Sequence, residues 1–160
     1  MSLPIEWEVG DGITYALRTF DVKDGELVSV AQRGSHWEGG ICEAVCLTGP
    51  NDPEHVVPVE NCKCGVWAYW TVADLFKQHD GAYAQYARRI ITVIRMAGDC
   101  IDGEDGVRAA AAQIVAWCCA EDDPKAARAC AASCPGARRF HDRDVMVHIH
   151  GLRETPEEGN

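Results

Sequence analysis

The chain has 160 residues, of which 47% are hydrophobic and 25% charged, and its formal net charge is −10. This length and composition predict one globular domain over residues 1–160 that needs no disulfides, with frayed ends at 1–5 and 153–160. The negative charge argues against nucleic-acid binding, which depends on neutralising phosphates, and no apolar run is long enough to cross a membrane. Nine cysteines without a signal peptide favour a cytoplasmic protein whose thiols are reduced or bound to metal.

The first part of the chain is predicted to be β-structure followed by a loop. Apolar and polar residues alternate over 13–18 and, after a turn at 23–25, apolar residues return over 26–31, which indicates a β-hairpin. A third strand is expected at 41–47. Residues 48–61 are rich in proline and other helix breakers, so they are predicted to form a loop.

The second part alternates between helices and strands. The spacing of apolar residues predicts a helix over 70–79, and β-branched residues predict a strand over 89–101 with a partner strand at 107–118. A second helix is expected at 124–134, where proline begins it and a Pro-Gly pair ends it. Alternating apolar residues over 145–149 predict a short last strand.

Cysteine and histidine are concentrated between residues 42 and 64, and this is the strongest functional signal in the chain. Zinc takes about four nitrogen or sulfur donors, and closely spaced cysteines supply pairs of thiolates. The predicted ligands are Cys46, His55, Cys62 and Cys64, with Cys42 as a spare donor. The fold class that follows is α+β: a small, mostly antiparallel sheet with two helices and a metal-clipped loop.

Two other interpretations of this segment stay open. Cysteine is among the most buried residue types, so the thiols could be free and simply part of the core. An iron–sulfur cluster is the other alternative, although a histidine ligand and the C-x-C spacing favour zinc.

The same segment carries a family resemblance. Its motifs are Trp37-x-Gly39-Gly40, Ala44-x-Cys46, His55-x-x-Pro58 and Cys62-x-Cys64-Gly65-x-x-Ala68. They resemble an uncharacterised family of small actinobacterial and actinobacteriophage proteins, over about residues 12–116. Residues 93–112 resemble that family's paired strands, with Arg108-Ala109 in place and Ala97-Gly98 where the family has Trp-Gly. The resemblance implies a compact fold and a phage origin, and it implies no reaction.

A second group of cysteines lies near the carboxyl end. It consists of Cys118, Cys119, Cys130 and Cys134. Cys130 and Cys134 share one face of the predicted helix and would form half a metal site if His141, or His148 and His150, completed it. Small buried thiols on an alanine-rich helix are the favoured interpretation.

These observations favour a zinc-stabilised, non-enzymatic module that binds a protein partner, with no catalytic residue predicted. The acidic charge would steer the module towards a basic surface, and the resemblance points to a phage-encoded protein acting on a host protein. A metal-dependent hydrolase is the alternative, and it would need an open coordination position with a bound water. A thiol redox sensor is a third hypothesis, which requires an exposed thiol of low pKa.

Overall fold

The structure, a computed structural model, describes residues 13–30, 37–46, 57–58, 60, 62–78 and 89–156. These residues form an α+β fold with a seven-stranded, mostly antiparallel sheet and three helices, so the predicted fold class is confirmed. The strands are β1 (Thr14–Lys23), β2 (Glu26–Ser29), β3 (Ile41–Glu43), β4 (Val66–Tyr69), β5 (Ile90–Asp102), β6 (Gly106–Cys119) and β7 (Arg138–Phe140). The helices are α1 (Val72–Gln78), α2 (Pro124–Ser133) and α3 (Arg143–Ile149).

A long hairpin of β5 and β6 forms the centre of the sheet. The two strands pair antiparallel from Ile90 and Cys119 at one end to Asp102 and Val107 beside the turn. The β-branched residues at the start of β5 favour a strand, as predicted. The alanines of β6 prefer helix locally, but pairing along a long neighbouring strand outweighs that weak preference. The acidic turn at 103–105 confirms the predicted hairpin.

Three short strands share the other edge of β6. β4 lies beside its start, β3 beside its middle, and β7 lies parallel to its end. β1 pairs with β5 and also, through Leu17 and Tyr69, with β4. Because β1, β5, β6 and β4 form a closed circuit of paired strands, β4 is held from both sides.

The predicted amino-terminal hairpin is also confirmed. Asp24 and Gly25 have φ angles of 52° and 79°, and a two-residue turn of type I′ requires positive φ at both central positions. The third strand is shorter than predicted: β3 ends at Glu43, and residues 44 and 45 connect it to Cys46.

The sheet buries side chains on both faces. On one face α2 packs through Ala129 into a cluster that includes Phe20 and Ile94. On the other face α1 and α3 contribute Leu75 and Met146 to a second cluster. Because both faces are covered, residues 90–97 of β5 are buried almost throughout rather than at alternate positions.

The last strand predicted at 145–149 is wrong, because this segment is helix α3. The carboxylate of Asp142 caps the helix by accepting hydrogen bonds from the backbone N–H groups of Asp144 and Val145, at 2.9 and 3.3 Å. The adjacent residues Met146 and Val147 are the ones buried, whereas Val145 is 46% exposed. Alternation of apolar residues therefore did not reflect burial here.

Two residues of the predicted frayed tail contact α1. The backbone carbonyls of Arg153 and Glu154 accept hydrogen bonds from the N–H groups of Val72 and Ala73, at 3.1 and 2.9 Å. These bonds satisfy two of the donors that the start of a helix leaves without intrahelical partners. Glu154 is also 3.2 Å from the guanidinium of Arg143 on α3.

Candidate metal site

Three of the predicted ligands lie together. The Sγ atoms of Cys46, Cys62 and Cys64 are all within 4.8 Å of one another, and those of Cys46 and Cys62 are 3.5 Å apart. This distance far exceeds the roughly 2.05 Å of a disulfide. It is close to the roughly 3.8 Å that separates two sulfurs on a tetrahedral ion with 2.3 Å bonds. The three thiols are therefore placed to bind one metal ion.

The tight turn that carries Cys62 and Cys64, called here the knuckle (residues 62–65), depends on its glycine. Gly65 has a φ angle of 118°, which disfavours any residue with a side chain. A Cβ atom at this position would also lie 3.3 Å from the Ala109 carbonyl oxygen and 3.3 Å from Pro58. The knuckle thus approaches β6 closely just before the chain enters β4.

Two side chains hold the backbone of the knuckle. The buried guanidinium of Arg108 on β6 donates through Nη1 to the carbonyl oxygens of Cys62 and, at 3.0 Å, of Cys64. The indole Nε1 of Trp67 donates to the carbonyl oxygen of Lys63, at 2.9 Å. Arg108 also lies over the Trp67 ring, 5.4 Å from its centroid. All three carbonyls from 62 to 64 therefore accept a hydrogen bond from a side chain.

Arg108 is not predicted from the sequence as part of the site, and Trp67 is predicted only to pack against the metal loop. The available signal is an arginine inside the otherwise apolar segment 107–112, since a buried guanidinium needs acceptors. Side chains that hydrogen-bond around a metal site orient the ligands and contribute to the affinity of the site for the metal.

Cys42, the predicted spare donor, lies elsewhere. It is fully buried on β3 within the hydrophobic cluster under α2, and the group of three thiols does not include it. Its charged neighbour is Arg18, whose Nη1 donates to the carbonyl oxygen of Trp67 at 2.7 Å. Burial lowers the pKa of Arg18 to about 10, while Cys42 and Tyr69 act in the opposite direction.

His55, the predicted fourth ligand, lies outside the described residues. Pro58, three residues later in the sequence, lies against Gly65 of the knuckle.

The second group of cysteines has a different environment. Cys119, Cys130 and Cys134 are buried in the cluster under α2, and Cys118 lies half-buried against the opposite cluster. Burial raises the pKa of all four thiols, that of Cys134 to about 11. The Cys134 thiol donates to the carbonyl oxygen of Cys130, at 3.1 Å. Burial therefore disfavours the thiolate form, which is the form that a redox sensor needs.

The histidines considered for a second site have other contacts. Nδ1 of His141 lies 2.5 Å from the Glu121 carboxylate on the surface, and Nδ1 of His150 donates to the carbonyl oxygen of Met146 at 2.7 Å. His148 is exposed near the end of α3. Within the described part of the chain, no second group of three such donors accompanies the one at Cys46, Cys62 and Cys64.

Comparison with family models, with curated proteins and with solved structures finds no match for this chain. Among the described residues, no helix combines the length and the apolar character needed to cross a membrane.

Proposed function

We propose that the chain is a zinc-stabilised, non-enzymatic module that binds a protein partner, and that Cys46, His55, Cys62 and Cys64 hold the zinc. The observation that carries the proposal is the convergence of three thiols from two separate segments within 4.8 Å. Three thiols so close together would repel one another as thiolates, and a divalent cation removes that repulsion.

His55 is the proposed fourth ligand because of its place in the sequence. Pro58 lies against the knuckle, and three residues of chain span at most about 11 Å. A neutral imidazole would complete a tetrahedral set of three sulfurs and one nitrogen, a usual composition for structural zinc.

A structural role is proposed because of the donors and their support. Three thiolates donate much of their charge to the ion and leave it with little Lewis acidity. The backbone of the knuckle is fixed by the guanidinium of Arg108 and the indole of Trp67. Zinc would then join the segment at Cys46 to β4 and stabilise both, since metal binding contributes directly to folding free energy.

A protein partner is proposed from charge and from the resemblance. A net charge of −10 favours association with a basic surface. The resemblance to actinobacteriophage proteins supports a phage origin and a host protein as the partner. The odd number of cysteines, nine, in a domain large enough to fold without disulfides fits a reducing compartment such as the cytoplasm.

Elemental analysis of the protein purified without chelator tests the metal. We expect about one zinc per chain, lost in Cys62→Ser and retained in Cys100→Ser, whose exposed thiol lies outside the cluster. A fully folded protein without metal would contradict the proposal. So would zinc-dependent hydrolysis that disappears on changing a nearby glutamate while zinc is retained, because that result requires a catalytic metal.

A further inference from the structure

A cavity of about 270 Å³ opens between β4 and the turn of the long hairpin. Trp67 and Tyr69 line it from β4, Arg108 from β6, and Asp102, Glu104 and Asp105 from the hairpin end. Pockets for drug-sized ligands usually measure about 300–1,000 Å³. The cavity is therefore suited to one side chain rather than to a large cofactor.

The walls of the cavity differ in chemistry. Trp67 and Tyr69 are two residues apart on one strand, so their rings stand on the same face of the sheet. The lining also contains three carboxylates but only one cation. That cation, Arg108, is directed to the carbonyl oxygens of the knuckle. Aromatic faces and carboxylates together attract a planar cation, which can stack on a ring and bind a carboxylate through two N–H groups.

The hairpin end is hydrogen-bonded to Trp70, the residue that directly follows β4. Trp70 donates through Nε1 to the carbonyl oxygen of Gly103, at 3.0 Å, and through its backbone N–H to that of Asp105, at 3.1 Å. Gly106 is needed because a side chain there would collide with the Ala68 backbone. Because these hydrogen bonds already order the hairpin end, binding of a ligand in the cavity should cost little additional conformational entropy.

The cavity also adjoins the metal site. Trp67 forms one wall of the cavity and donates to the knuckle at Lys63. Arg108 lies over the same indole ring and binds the carbonyls on both sides of Lys63. The position of the aromatic wall thus depends on the knuckle that zinc would hold.

We propose that this cavity receives the side chain of an arginine presented by a basic partner protein. The inference rests on the proposed function, since it specifies the chemistry of the partner that the module binds. A guanidinium would stack against the aromatic wall and pair with the carboxylates of the hairpin end.

The test is an NMR titration of the full chain, following its indole N–H signals, with the capped tripeptide acetyl-Gly-Arg-Gly-amide. The control peptide contains citrulline, which has nearly the shape of arginine but no charge. We expect saturable shifts of the Trp67 signal, identified with Trp67→Phe, and affinity about tenfold or more higher for the arginine peptide. Equal affinity for both peptides would overturn the proposal.

A matched pair of variants separates the cavity from bulk charge. Asp102 and Asp99 are both exposed on β5, but only Asp102 lines the cavity. We expect Asp102→Asn to weaken arginine binding about threefold, the usual size for an exposed ion pair, and Asp99→Asn to leave it unchanged. Equal weakening in both variants contradicts a defined site.

Zinc content is measured on every sample. Arginine selectivity in a chain without zinc would contradict the proposed metal and support the cavity. One zinc per chain without arginine selectivity would support the proposed metal and contradict the arginine site in the cavity.

Discussion

The two groups of cysteines place the same residue type in opposite chemical settings. Cys46, Cys62 and Cys64 come from two segments and converge around a point, and hydrogen bonds hold the turn that presents two of them. Cys119, Cys130 and Cys134 pack among apolar residues, where burial raises their pKa values. Donor geometry and backbone support, rather than cysteine content, therefore distinguish the thiols that are placed to bind a metal ion.

The sharpest test of this comparison removes one buried thiol from each group. Cys64→Ala should abolish the contribution of zinc to stability, which is about 4 kcal/mol if free metal exceeds its dissociation constant a thousandfold. Cys130→Ala should lower the free energy of unfolding by only about 1 kcal/mol, because it creates a small cavity and removes no metal ligand. Denaturant unfolding with and without chelator measures both, and the chelator should affect only Cys130→Ala and the unmodified protein. Equal losses in the two variants would contradict a metal at the first group.

The support of the knuckle can be weakened without touching a thiol. Arg108→Lys keeps a positive charge but loses the planar fork that binds two carbonyls. We expect metal affinity to fall about 10–100-fold, as it does when other outer-shell partners are changed. Competition with a chromogenic chelator measures the affinity, and Arg128→Lys, an exposed arginine on α2, is the control. Unchanged affinity in Arg108→Lys would show that the hydrogen bonds are incidental.

The second group should resist alkylation in the folded protein. The pKa of Cys134 rises from 9.0 to about 11, so at neutral pH its thiolate fraction falls about a hundredfold, before any effect of restricted access. After zinc is removed by a chelator, Cys46 and Cys62 should react with iodoacetamide well before Cys130 and Cys134. Mass spectrometry of peptides follows the order. Early modification of Cys134 in folded protein would contradict its burial.

The elements that could be predicted are those determined by neighbouring residues in the sequence, such as a helix cap or a run of β-branched residues. The start of α2 could be predicted because Asp123 caps it and Pro124 fits its first turn, and β5 because its β-branched residues favour a strand. The short strands β4 and β7 were not predicted, since they owe their structure to pairing with β6. Alternation over 145–149 misled because the capping residue Asp142 and the burial of Met146 and Val147 determine a helix instead.

The site was predictable to a similar degree. Cysteine spacing identified three thiols that do converge, because a C-x-C pair is adjacent in any fold and Cys46 follows a strand that pairs with β6. It ranked Cys42 as a spare donor behind Cys46, but spacing alone could not show that the two cysteines, four residues apart, lie in different surroundings. The pairing of β3 with β6 turns Cys42 into the core. Arg108 is 44 residues away from Cys64 in the sequence. No local sequence pattern predicts a contact between residues so far apart.

The smallest expected effect on stability comes from Asp123, which caps α2 and forms an ion pair with Arg89. The Asp123 carboxylate accepts the Ala126 N–H at 3.2 Å and pairs with Arg89, whose Nε is 2.9 Å from it. The hydrogen bond from Arg89 is the main reason that the pKa of Asp123 lies below its ordinary value of 3.8. The ionised carboxylate is therefore favoured in the folded protein. Its contribution is complete above about pH 4 and is lost as the pH falls through the lowered pKa.

We expect Asp123→Asn to remove this part of the acid sensitivity while keeping the helix, because asparagine caps helices about as well as aspartate. The loss at neutral pH should be at most about 1 kcal/mol, the usual limit for a partly exposed ion pair. Unfolding free energy measured from pH 7 down to pH 3 should fall less steeply in the variant than in Asp122→Asn, which changes the exposed neighbour. Parallel curves for the two variants would mean that Arg89 and Asp123 do not stabilise α2, and that apolar packing alone holds the second group of cysteines in place.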